Sequence, residues 1–170
     1  MPRYTLIAAM SVDGKIARTK NSGTRWTSPE DKQFLRIKLD RCDVVIVGRR
    51  TYEIAQKPLA KRNCIVFTRS VEQAVKKNKR CVYFNPQKGD LEAFLKEHGY
   101  KNVCVLGGAQ TYSWFLKRGL TDDLYLTIEP VVFGKGVSLF TAPSCSPFTL
   151  ASVKRLNQKG SLLLHYISAC

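Results

Sequence analysis

The stretch NVCVLGGAQTY, residues 102–112, decides the fold. Asn102–Leu106 is a short apolar, β-branched run of the kind covered on both faces in a sheet. Gly107 and Gly108 follow at once, and Ala109–Lys117 then reads as a helix that Gly119 stops. Strand, glycine turn and helix form the repeating unit of an α/β sheet, whose ligands sit at the carboxyl ends of the strands. A glycine pair lets backbone approach a ligand closely. The open N–H groups and dipole of the helix start favour an anion such as a diphosphate. The pattern G-x-G-x-x-G is absent from the sequence.

The same unit recurs outward from this point. Asp43–Val47 runs into Gly48-Arg49-Arg50-Thr51, again a strand end entering a helix. Asn63–Thr68 ends in Thr68-Arg69-Ser70, where two hydroxyls and a guanidinium suit a ribose 2′-phosphate. Three such turns together point to an extended phosphorylated cofactor. Other strands are expected at Tyr4–Met10, Cys81–Phe84, Asp123–Ile128, Phe148–Arg155 and Ser161–Ile167. Helices are expected at Ser28–Asp40, Val71–Lys77 and Asp90–His98. Ser28 suits a helix cap, Pro29 the first helical position, and Glu30 and Asp31 the positive end of the dipole. Residues 156–160 read as a hairpin turn, so the last two strands are antiparallel at the edge of a largely parallel sheet. Residues 141–147 read as a loop.

The chain has 170 residues, 28 Lys+Arg against 13 Asp+Glu, and a net charge of +15. One domain, residues 1–170, is the expectation at this length. An apolar content of 44% suits a packed globular core and disfavours disorder. No apolar run approaches a membrane span, and the amino terminus does not resemble a signal peptide, which points to the cytoplasm. Six scattered cysteines without a CxxC pair are expected to be reduced, buried thiols. His98 and His165 are the only histidines, so no metal site is expected.

The charge excess asks for an anionic partner: nucleic acid, or a phosphorylated substrate or cofactor. Residues 57–80 hold eight basic residues and one acid, Glu72, which keeps a basic nucleic-acid-binding module as the alternative outside enzymes. Yet no RNA-recognition aromatic motif, zinc finger or helix-turn-helix signal accompanies them. Near the ligand-facing turns, Asp13 follows the first strand, and Glu30 and Asp31 begin the first helix. A carboxylate there can donate or relay a proton if burial raises its pKa.

The segments YTLIAAMSVDGKIA, TSPEDKQF, DVVIVGRRTYE, NCIVFTRS, NVCVLGGAQTY and LTDDLYLTIEPVVFGKGVSLF together resemble the dihydrofolate reductase superfamily. The resemblance is strongest to the reductase domain of the riboflavin-biosynthesis deaminase-reductase. It implies a three-layer α/β fold of the dihydrofolate reductase type, NADPH as cofactor and hydride transfer. By it, Gly107 and Gly108, with Ala109, Gln110 and Thr111 at the helix start, take the diphosphate. Gly48, Arg49, Arg50 and Thr51 also lie on the cofactor, and Thr68, Arg69 and Ser70 hold the 2′-phosphate. The nicotinamide lies near Ala9 and the Val12–Lys15 loop. Lys15 and Val12 face the substrate, Lys15 toward a substrate phosphate. A homodimer through the late strands is implied as well.

Two branches of the superfamily compete for the substrate. SVDGKIA and EPVVFGKG resemble the riboflavin branch, which reduces a phosphoribosylamino-uracil at the sugar C1′. GRRTYE, the VFTR strand and Trp26 resemble dihydrofolate reductases. In that branch an acid four residues before a helical Phe contacts the pterin, which selects Glu30 before Phe34. Thr127 then supports the acid, and Glu30 or Asp13 assists the proton. Leu106 stands where the riboflavin branch carries Glu, and residues 55–58 replace its Asp-Asp-Pro-like turn. A cofactor-binding sensor without catalysis is the reading that Leu106 favours. The deaminase pattern H-x-E with P-C-x-x-C is absent from the sequence, so no deaminase domain and no zinc are expected.

Overall fold

The computed structural model describes residues 1–141 and 145–169. Cys170 and the middle of the 141–147 loop lie outside them. The chain begins with the long strand β1 (Arg3–Ser11) and a short β2 (Lys15–Ala17), followed by α1 (Pro29–Leu39). Then come β3 (Val44–Gly48), α2 (Arg49–Leu59), β4 (Cys64–Phe67), β5 (Ala74–Asn78), β6 (Cys81–Phe84) and α3 (Leu91–Glu97). The remainder is β7 (Asn102–Val105), α4 (Ala109–Lys117), β8 (Asp123–Glu129), β9 (Val137–Ser138), β10 (Phe148–Arg155) and β11 (Leu162–Ser168). Among the described residues no helix is long and apolar enough to cross a membrane.

Nine strands form one sheet in the order β10-β11-β8-β1-β7-β3-β4-β6-β5. The six strands from β8 to β6 run parallel, while β11, β10 and β5 run antiparallel to their neighbours. The expected α/β class, mostly parallel sheet and antiparallel carboxyl-terminal hairpin are all present. Leu39 of α1 and Leu59 of α2 join the apolar cluster on one face, with Val45, Val47 and Val66. Leu91 and Leu95 of α3, with Tyr112 and Phe115 of α4, join the cluster on the other. Helices on both faces bury β3 and β4 completely, which is why VVIV and CIVF lack polar alternation.

The chain caps α1 as its sequence dictates. The Ser28 hydroxyl accepts the Asp31 N–H at 3.2 Å, and Pro29 occupies the first turn. Helix α2 is kinked at Ala55 because Pro58 lacks an N–H and crowds the carbonyl four residues back.

Two expectations are corrected. Val71–Lys77 is not a helix; its second half is edge strand β5. Asn85 holds the segment extended, donating its N–H to the Gln73 carbonyl (2.7 Å) and its Nδ2 to the Val71 carbonyl (2.8 Å). Pairing with β6 thus overrides a weak helical propensity. The cysteines are not all thiols either. Cys42 and Cys104 form a disulfide with Cα atoms 6.0 Å apart. The chain turns from α1 straight into β3, the neighbour of β7, which brings Cys42 beside Cys104 across 62 residues of sequence. Cys64 and Cys81 are buried free thiols, whereas Cys145 is free and exposed.

Candidate active site

The sheet reverses its winding between β1 and β7. The connection through α1 leads from β1 over β7 to β3, and that through α4 leads from β7 over β1 to β8. The two helices leave on opposite faces, and a crevice opens at the carboxyl ends of the strands they leave. Register makes this visible: β1 and β7 last pair at Leu6 and Val105, while β1 continues alone to Ser11 on that side. Leu106 turns away to donate to the Ile46 carbonyl at 3.0 Å. The Ile7 carbonyl instead accepts the hydroxyl of fully buried Tyr112 at 2.5 Å.

Three turns stand side by side at this edge, because β7, β3 and β4 are adjacent. The Gly48 N–H donates to the Gly107 carbonyl at 2.6 Å, joining the turns before α2 and α4. A Cβ on Gly48 would lie 2.9 Å from Thr111 Oγ1, and one on Gly108 3.3 Å from Thr51 Oγ1. Gly107 has φ +88°, and a Cβ there would strike the Tyr112 ring at 2.6 Å. The Gly107–Gly108 peptide is cis. Helices α2 and α4 both start on glycine, with no side-chain cap and no acid in the first turn. Helices α1 and α3 have both. Among the described helices, the two glycine-capped ones thus have neither a side-chain cap nor an acid against their positive dipole, the combination that suits an anion.

Beyond β4, Thr68 is buried and its Oγ1 lies 2.9 Å from Ser70 Oγ, while the Ser70 N–H donates back to it at 3.2 Å. This turn holds two hydroxyls in place beside exposed Arg69. Arg49 and Arg50 are exposed too, Arg49 in a loose pair with Glu53 at 3.7 Å. Ala109 and Thr111 are buried and Gln110 is exposed. Ala9 lies on β1 in register with Thr127 on β8.

The carboxylates sort differently from the expectation. Of Asp13, Glu30 and Asp31, Asp31 is the buried one, only 7% exposed, with the hydroxyls of Thr127 and Thr27 beside its carboxyl. Burial pushes its pKa up from the usual 3.8, the two hydroxyls oppose the rise, and the charge of Glu129 adds to it. Glu30 points elsewhere, accepting from Asn157 Nδ2 at 3.1 Å, with its pKa lowered chiefly by a backbone hydrogen bond. The acid beside Thr127 is thus Asp31, three residues before Phe34 rather than four: the cap at Ser28 turns Asp31, not Glu30, toward the sheet.

Asp13 is corrected as a proton donor. Its carboxylate accepts from Ser11 Oγ (2.6 Å) and from the N–H groups of Phe133 (3.1 Å) and Gly134 (2.8 Å). The Ser11 bond leads these in lowering its pKa to about 2. It stays ionised and ties the loop after β1 to residues 131–134. Val12 is exposed, its N–H on the Val131 carbonyl. Lys15 Nζ rests on Ser138 Oγ at 3.1 Å. Phe34 packs on Tyr125, with ring centroids 5.4 Å apart.

The sequence left Glu129, Asn157 and Ser161 unread. Glu129 is 3% exposed and accepts the Ser28 N–H at 2.7 Å and the Ser161 hydroxyl. Asn157 Nδ2 reaches Ser161 Oγ at 3.0 Å as well as Glu30. The one signal available was the acid of Glu129-Pro130 at the end of an apolar strand.

The family model described as RibD C-terminal domain matches residues 2–161. The protein YwjB of Bacillus subtilis is 29% identical, covering 99% of this chain and all of its own length. Dihydrofolate reductase HdrB of Haloferax volcanii is 33% identical over 68% of this chain and 60% of its own. The structure of Acinetobacter baumannii RibD superposes with a TM-score of 0.80 at 19% identity, over all of this chain and 59% of that one. The match along nearly the whole chain, on a sheet with this crevice and these turns, places the chain in the RibD C-terminal domain family.

Proposed function

We propose that this chain, acting as one reductase unit over residues 1–170, uses NADPH to reduce a phosphorylated pyrimidine at the sugar C1′ of a phosphoribosylamino-uracil. The observation that carries the cofactor is the row of three turns on adjacent strands, ending at a crevice beside Ala9. Their span, two strand spacings from β7 to β4 and one more to β1, is about 14 Å. The residues present fit the cofactor. The glycine cradle at Gly48, Gly107 and Gly108, with Ala109, Gln110, Thr111, Arg49, Arg50 and Thr51, would hold the diphosphate. Thr68, Arg69 and Ser70 would hold the 2′-phosphate. NADPH supplies the hydride when bound.

The chain's own residues supply position and a proton. Burial raises the pKa of Asp31, which suits it to supply a proton, with the Thr127 and Thr27 hydroxyls beside its carboxyl. Phe34 and Val12 would face the substrate, and Lys15, once off Ser138, would offer a cation to a substrate phosphate. A pterin substrate is the second reading, and one observation favours it: the buried acid with its threonine, which suits a heterocycle presenting two adjacent N–H donors. Cytoplasmic residence and a homodimer through β10 and β11 belong to the proposal. Exposed Leu150, Val153 and Ile167 on those strands support the latter. The nucleic-acid reading loses ground, because Lys76 and Lys77 lie on the exposed edge strand, where lysines blunt edge-to-edge pairing.

A substrate panel followed by NADPH absorbance tests both readings; turnover of neither the pyrimidine phosphate nor dihydrofolate overturns them together. For the cofactor, R69A should lose on the order of tenfold in preference for NADPH over NADH. An unchanged ratio would remove Arg69 from the 2′-phosphate site.

A further inference from the structure

The reductase proposal gives no role to Glu129, yet this carboxylate is among the most enclosed polar groups of the chain. It sits at the end of β8, two residues past Thr127. One oxygen accepts the N–H of Ser28, the cap of α1, at 2.7 Å. The other accepts the hydroxyl of Ser161, just before β11. Asn157 continues the network, bonding Ser161 Oγ with Nδ2 and the Gly160 and Ser161 N–H groups with Oδ1, at 3.1 and 3.2 Å. Its Nδ2 also reaches Glu30 on α1. Three segments distant in sequence, around residues 28–31, 127–129 and 157–161, thus converge on one buried acid.

We propose that Glu129 is a positioning residue of the reductase site: it anchors the start of α1 to β8 and β11, and so fixes where Asp31 stands and which charge it faces. This rests on the reading of Asp31 as the site's acid. A charge-assisted bond to the N–H of a cap residue is strong, and breaking one partner of a buried pair leaves the other unsatisfied. The charged groups facing Asp31 are Lys32 on its own helix, Glu129 on β8 and, when ionised, Tyr112 on α4. Lys32 favours the ionised form of Asp31 and Glu129 opposes it. Glu129 therefore combines a mechanical function, the anchor, with an electrostatic one.

The two functions separate by substitution. Glu129→Gln keeps an oxygen for the Ser28 N–H and an amide for Ser161 but removes the charge. Its substrate KM should stay within a few-fold of wild type. The limb on which kcat falls as pH rises should move to lower pH, because Asp31 loses its proton more readily. Glu129→Ala removes the anchor as well. Its substrate KM should rise on the order of tenfold, with the KM for NADPH unchanged, since the cofactor turns lie on other strands. If the alanine variant does not fold, the glutamine variant decides alone.

Titration of the Asp31 carboxyl carbon by 13C NMR, in protein without cofactor or substrate, reads the coupling independently of turnover. A lower midpoint in Glu129→Gln supports the inference. Identical midpoints and superimposable pH profiles overturn it. Undiminished turnover in Asp31→Asn would overturn the reading of the site's acid instead, and the NMR midpoint would still judge Glu129.

Discussion

Asp31 and Asp13 are two carboxyls with opposite environments, and pH should separate them. Burial raises the pKa of Asp31 in the folded state. Ionising it therefore costs stability as pH climbs past the usual 3.8 toward the folded value. Asp31→Asn should unfold at the same or a higher temperature than wild type at pH 7, while turnover falls by about 10²- to 10⁴-fold. A lower melting temperature with intact turnover would contradict both statements. Asp13 is held down to about 2 by its hydrogen bonds. Its contribution to the loop after β1 is fully present above the usual 3.8 and fades as pH drops through about 2. Asp31 was legible as a first-turn acid, but choosing it over Glu30 depended on which one the Ser28 cap rotates inward.

The decisive elements are the two helices that begin on glycine. The Gly48 turn and the Gly107–Gly108 turn lean on each other through one hydrogen bond of 2.6 Å. In Gly48→Ala, the new methyl would meet Thr111 Oγ1 at 2.9 Å and push the first turn of α4 aside. The KM for NADPH should rise roughly 10- to 100-fold with little change in stability, measured by initial rates beside a thermal melt. An unchanged KM would mean that α4 is not part of the cofactor cradle. At the start of α1, Ser28→Ala removes the side-chain acceptor and should cost about 1 kcal/mol in denaturant unfolding. Each of these turns was legible as a strand followed by glycine. Residues 71–77 were not legible, because their strand depends on the grip of Asn85 and on an open edge at β6.

For the molecule as a whole, the sheet's two apolar faces supply the stability. Phe115 of α4 is fully buried, 5.8 Å from the Phe67 ring and 5.4 Å from that of Tyr4. Phe115→Ala should destabilise the chain by about 3–5 kcal/mol in urea or guanidinium unfolding. A loss below 1 kcal/mol would mean that the α4 face contributes little to the core. The net charge of +15 has a whole-molecule reading too. Arg49, Arg50 and Arg69 stand exposed at the strand-end turns proposed for the cofactor, while Lys76 and Lys77 line an edge strand.

The sequence by itself determined the α/β class, the three turns at the carboxyl ends of strands and the antiparallel hairpin. Each is written in neighbouring residues: an apolar run, a glycine, a helix start. Only the tertiary structure decided which carboxyl is buried, that Glu129 joins α1 to β11, and that Cys42 meets Cys104. Those outcomes depend on strand order, which brings residues 32 or more positions apart to within bonding distance and is set by the packing of both faces at once.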